Sequence, residues 1–112
     1  MAIVANLVID QGSDFTSTIT LEDNVGNAID LTNYTIRGQV RKTYTSSTSY
    51  PFTTTKLTSQ GPGKIKIQLS PTQTGTMKPG RYVYDVEIVH TTGTPVVRVV
   101  EGQVTVTPRV TR

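Results

Sequence analysis

The amino-acid sequence predicts an all-β fold, an antiparallel two-sheet β-sandwich that is immunoglobulin-like and has about seven strands. Threonine is the commonest residue and valine the second, and both branch at Cβ and fit a pleated sheet better than a helix. Apolar and polar residues alternate in several segments, which recur at intervals of roughly 8–12 residues. A small barrel is the alternative fold.

Length and composition limit the classes of function that the chain can have. The 112 residues, with a net charge of +3 and 35% hydrophobic residues, predict one domain over residues 1–112 with a thin core. The chain has no cysteine and one histidine, which excludes disulfides, thiolate zinc sites and cysteine nucleophiles. No stretch has the about 18 apolar residues that a membrane helix needs. We expect no cofactor, no membrane partner and no enzymatic activity.

Individual elements follow from local pattern. Period-two alternation predicts strands over residues 15–21, 34–41, 64–69 and 81–89, with a return strand that begins at residue 96. Ser70, followed by Pro71, suits the start of a short helical turn that ends before residues 78–80. The polar stretch 43–49 predicts a long loop or a flexible edge.

The last two strands predict a hairpin with its loop at residues 92–93. This register sets Glu87 opposite Arg98, as a cross-strand ion pair. It also sets two apolar pairs opposite each other, Val86 with Val99 and Ile88 with Val97. Continued without a break, the same register brings Glu101 and Gln103 onto the core face. We therefore predict a β-bulge near Glu101 and Gly102 that shifts the phase.

An acidic turn could hold calcium, because it offers oxygen ligands at close intervals. Its ligand rhythm is broken, however, and no bidentate glutamate follows at the right distance. An ordinary turn is the favoured interpretation of these residues, which are Glu22, Asp23, Asn24, Asn27 and Asp30.

Three further side chains could serve acid–base chemistry. Asp85 and Glu87 lie about 7 Å apart on one strand face, a separation that paired glycosidase carboxylates use. A solvated face with Glu87 neutralised by arginine is the simpler interpretation. His90 follows the last apolar residue of its strand, where a solvent-exposed turn histidine is favoured over a general base. No catalytic, cofactor-binding or metal-binding residue is assigned.

Basic residues on outward strand positions could follow phosphates. The modest net charge and the absence of interleaved aromatic residues make nucleic acid an unlikely partner. The residues concerned are Arg37, Arg41, Lys42, Lys64 and Lys66, with Arg109 and Arg112 near the C-terminus.

The order of several segments is similar to a known family. Residues 6–12 lead into Asp14 and Phe15, and residues 23–27 are followed by 29–34. The pattern continues with segments that read RGQVRK at 37–42, PGRYVYDVE at 79–87 and RVVEGQVTVTP at 98–108. This layout resembles small immunoglobulin-like virion proteins of tailed bacteriophages, including those of cyanophages, and the N-terminal domain of phage baseplate upper proteins.

The resemblance implies a non-enzymatic structural subunit of the virion, in the tail, neck or baseplate, whose partners are other virion proteins and repeated copies of itself. A capsid decoration protein is the alternative within that class. A host-surface or glycan-binding module is the alternative from another class, and it would use Tyr44 and Tyr50. The ends, residues 1–5 and 109–112, are candidate arms that dock on a neighbouring subunit. The possible partner contacts are thus Tyr44, Tyr50, Arg109, Val110 and Arg112.

Overall fold

The computed structural model describes residues 3–21, 31–57, 63–94 and 96–110, which form two β-sheets and one short helix. The expected all-β class is confirmed. The acidic turn weighed for calcium, at residues 22–30, lies outside the described residues. In chain order the elements are β1 (Ile3–Val4), β2 (Leu7–Asp10), β3 (Phe15–Thr20), β4 (Tyr34–Arg41), β5 (Ser49–Pro51), β6 (Thr53–Lys56), β7 (Lys64–Leu69), α1 (Pro71–Gly75), β8 (Gly80–His90) and β9 (Val96–Thr107).

The larger sheet is mixed, and the expectation of purely antiparallel sheets is wrong. Its order is β1-β9-β8-β4-β5, with β2 also paired to β9. Strands β1 and β2 lie end to end along one edge of β9 and run parallel to it, from Ile3 opposite Val100 to Asp10 opposite Thr107. A parallel pair needs a long crossover, and here nearly the whole domain supplies it. Local alternation gives no sign of such a pairing.

The smaller sheet is antiparallel, with the order β3-β7-β6. The chain passes from the larger sheet to the smaller one at Phe52, the single residue between β5 and β6. Phe52 is buried, and its ring lies 6.2 Å from the ring of Phe15 and 6.0 Å from that of Tyr84. One aromatic side chain therefore joins the two sheets where the backbone crosses between them.

The core lies between the two sheets. Strand β7 contributes Ile65, Ile67 and Leu69, every second residue, as its alternation predicts. Strands β4, β8 and β9 contribute the facing layer, and all these side chains belong to one cluster. The larger sheet's buried residues are Ile9, Val40, Tyr82, Tyr84, Val86, Ile88, Val99, Val100, Val104 and Val106.

Helix α1 begins as its sequence predicts. Ser70 is the N-cap, and its hydroxyl accepts a hydrogen bond from the backbone N–H of Gln73 at 3.2 Å. The Gln73 side chain accepts one in return from the N–H of Ser70 at 2.9 Å, which completes a capping box. Thr74 is fully buried and donates to the carbonyl of Ser13 at 2.8 Å, so the helix is fixed to the loop before β3.

A β-bulge is present in β9, but its predicted position near Glu101 and Gly102 is wrong. Val86 pairs with Val100 and Glu87 pairs with Arg98, so Val99 is the extra residue. The predicted pairing of Glu87 with Arg98 and of Ile88 with Val97 is confirmed, and that of Val86 with Val99 is wrong. The bulge buries two consecutive valines and turns Glu101 and Gln103 away from the core.

Candidate functional site

The outer face of the larger sheet carries a network of ion pairs. Arg98 contacts Asp85, with Nε and Oδ2 3.4 Å apart, and also Glu101, with Nη1 and Oε2 3.3 Å apart. Glu87 lies opposite Arg98 of β9 as predicted, but it forms its ion pair with Arg37, which lies opposite it on β4. The predicted ion pair of Glu87 with Arg98 is wrong. Each carboxylate of the candidate pair thus has an arginine partner. Each pair at this exposure contributes about 0–1 kcal/mol, so the network adds little to the stability of the fold.

The described basic residues do not form one stripe. Arg37 is ion-paired, and Arg41 donates to the Ser46 carbonyl and to the Gln39 side chain. The Lys42 ammonium lies 4.7 Å from the centre of the Tyr82 ring. Lys64 and Lys66 lie in the smaller sheet. A phosphate backbone would therefore meet these charges on two different sheets.

His90 is the last residue of β8 and is half-buried, in contrast to the predicted solvent exposure. Its Nδ1 lies 2.9 Å from the Thr92 hydroxyl, and its ring meets that of Tyr34 edge-on at 5.2 Å. These contacts fix the turn between β8 and β9.

The two tyrosines considered for ligand binding occupy different environments. Tyr44 is 82% exposed and borders a cleft of about 220 Å³, which Gln39, Arg41, Asp85 and Arg98 also line. Tyr50 is half-buried, and its ring packs edge-on against that of Tyr82 at 6.2 Å. The structure thus leaves one fully exposed tyrosine beside a polar cleft.

Near the C-terminus, the Arg109 side chain packs against the protein, whereas that of Val110 is exposed. The Arg109 side chain lies over Gly12, where an added Cβ would meet its Nη1 at 2.0 Å. Its backbone N–H donates to the Gln11 side chain at 3.3 Å. Val110 is 92% exposed, and Arg112 lies outside the described residues.

We define the N-terminal edge as strands β1 and β2 with the residues between them (residues 3–10). It is the most accessible apolar strand surface in the part of the chain that the structure describes. Val4 is 72% exposed and Val8 is 64% exposed. Within the described ranges these strands pair only with β9. Because Leu7, Val8 and Ile9 are all apolar, the sequence alone does not show that Val8 faces solvent while Ile9 is buried. The parallel pairing with β9 places this strand at an edge.

Among the described residues, the backbone of this edge pairs with β9 on one side and with no strand on the other. The N–H groups of Ala5 and Gln11 donate to β9 carbonyls, those of Glu101 at 2.9 Å and Thr107 at 3.0 Å. Because successive residues of a strand point their N–H and C=O groups to opposite sides, the even-numbered residues turn theirs to the open side. Val4 and Val8 are therefore exposed in both side chain and backbone.

Specific contacts hold this strand in place. The Tyr84 hydroxyl donates to the Ala5 carbonyl at 2.6 Å, and burial raises the pKa of this phenol to about 12. The Asn6 side chain accepts from the N–H of Gln103 at 3.1 Å. At the far end of the strand, Thr107 donates to the carboxylate of Asp10 at 2.7 Å. The edge is thus presented in a fixed conformation.

Other strand edges are less available. The part of β4 that precedes Gly38 has its edge covered by side chains of β6. The Thr54 hydroxyl donates to the Ile36 carbonyl at 2.9 Å, and the Lys56 ammonium donates to the Tyr34 carbonyl at 3.0 Å. Strand β5 is three residues long and ends at Pro51. The outward side chains of β3 are threonines. Lysine, proline and short length discourage strand addition at β4 and β5, and β3 has no exposed large apolar side chain. The N-terminal edge differs from them in its exposed Val4 and Val8.

Neither a cluster of metal ligands nor a membrane-spanning helix is found in the part of the chain that the structure describes. Among residues 3–21, 31–57, 63–94 and 96–110, no three histidine or carboxylate side chains lie together as metal ligands. In the same ranges, no helix is long and apolar enough to span a bilayer.

Comparison with known proteins gives structural likeness alone. In sequence, the chain matches no protein-family model and no curated protein. InlP of Listeria monocytogenes is similar over 92% of this chain and 26% of its own, with a TM-score of 0.49 and 18% identity. A family 123 glycoside hydrolase from Clostridium perfringens is similar over 97% of this chain and 24% of its own, with a TM-score of 0.45 and 16% identity. The chain spans about a quarter of either protein, and likeness at this level carries no argument about function.

Proposed function

We propose that this protein is a non-enzymatic structural subunit of a tailed-phage virion, in the tail, neck or baseplate, that assembles through protein–protein contacts. The N-terminal edge carries the proposal, because a fixed strand with exposed Val4 and Val8, whose single charge is at its end, is suited to accept a strand from another subunit. The ion pairs at Asp85 and Glu87 support it, since each carboxylate is already neutralised by an arginine. The resemblance of the sequence pattern to phage virion proteins supplies the virion context.

We also propose that the fold is immunoglobulin-like. In chain order, the sheets β9-β8-β4-β5 and β3-β7-β6 correspond to strands G-F-C-C′ and B-E-D of that fold. The Tyr82 hydroxyl donates to the carbonyl of Lys78, four residues upstream, at 2.7 Å. A tyrosine near the start of strand F that bonds back to the preceding corner is typical of immunoglobulin-like sandwiches. An experimental structure that lacked this strand order would contradict the assignment.

Quantitative mass spectrometry of purified virions tests the proposed function. We expect the protein in the particle at a copy number that fits the low-order symmetry of a tail, neck or baseplate. A copy number that matches the capsid lattice would favour a decoration protein on the head. Absence from purified particles, with the protein abundant in the infected cell, would contradict a virion role.

A second candidate function is binding of host-surface glycans, favoured by exposed Tyr44 beside the polar cleft. An aromatic face with adjacent polar groups can stack on a sugar ring and bond its hydroxyls. Glycan-array binding that is lost in Tyr44→Ala and kept in Tyr50→Phe would support this function, because Tyr50 packs against Tyr82. An array without a binding signal would contradict it.

A further inference from the structure

We infer that the N-terminal edge pairs with the same edge of a second copy of this chain, antiparallel about a two-fold axis that passes beside Asn6. The inference names the partner of the surface on which the proposed function rests. Joining the edges would continue the larger sheet from one subunit into the next. It would also satisfy the open backbone groups of both copies.

The composition of the edge favours a second copy over an unrelated partner. Residues 3–9 contain no charge and no proline, so nothing in the strand repels an identical strand. Its one charged residue, Asp10, is at the end of β2 and bonds Thr107 of its own chain. A two-fold arrangement needs a self-complementary surface, and an antiparallel edge pair meets that need because it is symmetric.

The exposed valines select one register. If Asn6 lies opposite Asn6 of the other copy, Val4 lies opposite Val8, and the symmetry repeats this pair on the other side of the axis. A two-residue slip in either direction would instead place Val4 opposite Asp10 or Asn6, and would leave no pair of valines. Cross-strand apolar pairs stabilise a sheet, so the first register is preferred.

Backbone geometry agrees with this register. The even-numbered residues point their N–H and C=O groups to the open side, as the bonds of Ala5 and Gln11 to β9 imply. Val4, Asn6 and Val8 would each form a hydrogen-bonded pair with the other copy, about six bonds in all. Directly opposite residues project to the same face of a sheet, so Val4 of one copy would contact Val8 of the other on the outer face.

Sedimentation equilibrium of the purified chain tests the association. Over roughly 10 μM to 1 mM we expect a concentration-dependent monomer–dimer equilibrium. Val8→Lys places a charge beside an apolar partner and should weaken the dimer by at least about tenfold. The matched control is Thr16→Lys on the exposed face of β3, where the residue directly opposite is uncharged Gln68. Thermal unfolding of both variants checks that they fold.

Cysteine cross-linking tests the register, because the native chain has no cysteine. Opposed residues in a hydrogen-bonded antiparallel pair have Cα atoms about 5.5 Å apart, within reach of a disulfide. A mixture of Val4→Cys and Val8→Cys should form a disulfide-linked dimer on mild oxidation, and either variant alone should not. Efficient cross-linking of either variant by itself would overturn the register.

Different experimental results would contradict the inferred self-pairing and the proposed virion role. A chain that stays monomeric at all these concentrations, or a dimer that Val8→Lys leaves unchanged, would overturn self-pairing whatever the virion contains. A protein that dimerises as described but is absent from purified virions would contradict the virion role and leave the pairing intact.

Discussion

Gly102 is the residue whose lack of a side chain lets the N-terminal edge approach β9. It occupies a core-facing position of β9, and a Cβ built there would lie 2.1 Å from the Ala5 carbonyl oxygen. Contacts this short force the backbone to move. The carbonyl must stay there to accept the Tyr84 hydroxyl, so glycine is required by close approach.

We therefore expect Gly102→Ala to lower the free energy of unfolding by about 1–3 kcal/mol, as overpacking does in a well-ordered site. Urea unfolding followed by circular dichroism measures this change. Gly75→Ala is the matched control, because its Cβ would have only an ordinary contact, 3.9 Å from Gly12. That variant should lie within about 1 kcal/mol of the native chain. Equal losses for both variants would contradict the role of Gly102.

The raised pKa of Tyr84 predicts that the free energy of unfolding falls at high pH. Burial raises the pKa of its phenol from 10.0 to about 12. A folded-state pKa above the unfolded value means that the folded chain holds the proton more tightly, so its stabilising contribution is full below about pH 10. The contribution is lost as the pH rises toward 12, where the phenolate can no longer donate to Ala5.

Urea unfolding between neutral pH and pH 12 tests this prediction with Tyr84→Phe. Near neutral pH the variant should be less stable by about 1–3 kcal/mol, because the Ala5 carbonyl loses its donor. Its stability should also fall less steeply above pH 10 than that of the native chain. A smaller slope should remain, since burial and nearby Tyr50 also raise the pKa of Tyr82. Identical slopes in both proteins would rule out Tyr84 as the titrating group.

At the scale of the strand, the bulge at Val99 sets which residues of β9 face the core. Without Val99, the pair of Val86 with Val100 would be followed directly by the pair of Glu87 with Arg98, as in a regular antiparallel ladder. Removing the extra residue therefore restores regular pairing without moving any other side chain to the opposite face.

We expect a chain that lacks Val99 to fold cooperatively and to lose about 1.5–3 kcal/mol, the burial of one valine side chain. The matched control is deletion of Thr105, which lies in the regular part of β9 between buried Val104 and Val106. There the loss of one residue breaks the alternation, and the chain should be far less stable. Urea unfolding and cross-strand nuclear Overhauser contacts between Glu87 and Arg98 measure both effects. Equal damage from the two deletions would contradict the bulge assignment.

Sequence predicts those elements whose signal is local. Strands β4 and β7 match their predicted bounds because half-buried strands alternate, and α1 follows from Ser70 and Pro71. The threonine-rich segment that forms β5 and β6 lacks an apolar face of its own, so its strands went unpredicted. The position of the bulge was missed because the run of valines around Arg98 fits either phase.

In the candidate site, too, the sequence predicts what depends on local spacing and misses what depends on the pairing of distant strands. Sequence identified Asp85 and Glu87 as neighbours on one strand face, since that depends on spacing along β8. It did not identify Arg37 as the partner of Glu87, because that depends on which strand lies beside β8. The N-terminal edge was missed for the same reason: an edge is defined by non-local pairing.

For the molecule as a whole, the parallel pairing of β1 and β2 with β9 separates the start of β1 from the end of β9 along the strand direction. Strand β1 begins beside Val100, near the middle of β9, while β9 ends beside Asp10. The molecule is 43 Å along its longest axis. A force applied between the start of β1 and the end of β9 therefore acts along the β2–β9 pair.

Single-molecule pulling tests the mechanical consequence. Hydrogen bonds between strands lie across the strand direction, so tension between the two ends loads the bonds of β2 and β9 together, in shear. Tension between Ser13→Cys and the C-terminus acts at one pole and opens the same pair bond by bond. We expect a clearly higher unfolding force in the first geometry, because forced unfolding is governed by the barrier along the pulled direction. Attachment is specific because the chain has no other cysteine. Equal forces in the two geometries would show that the β2–β9 pair is not the element that resists tension.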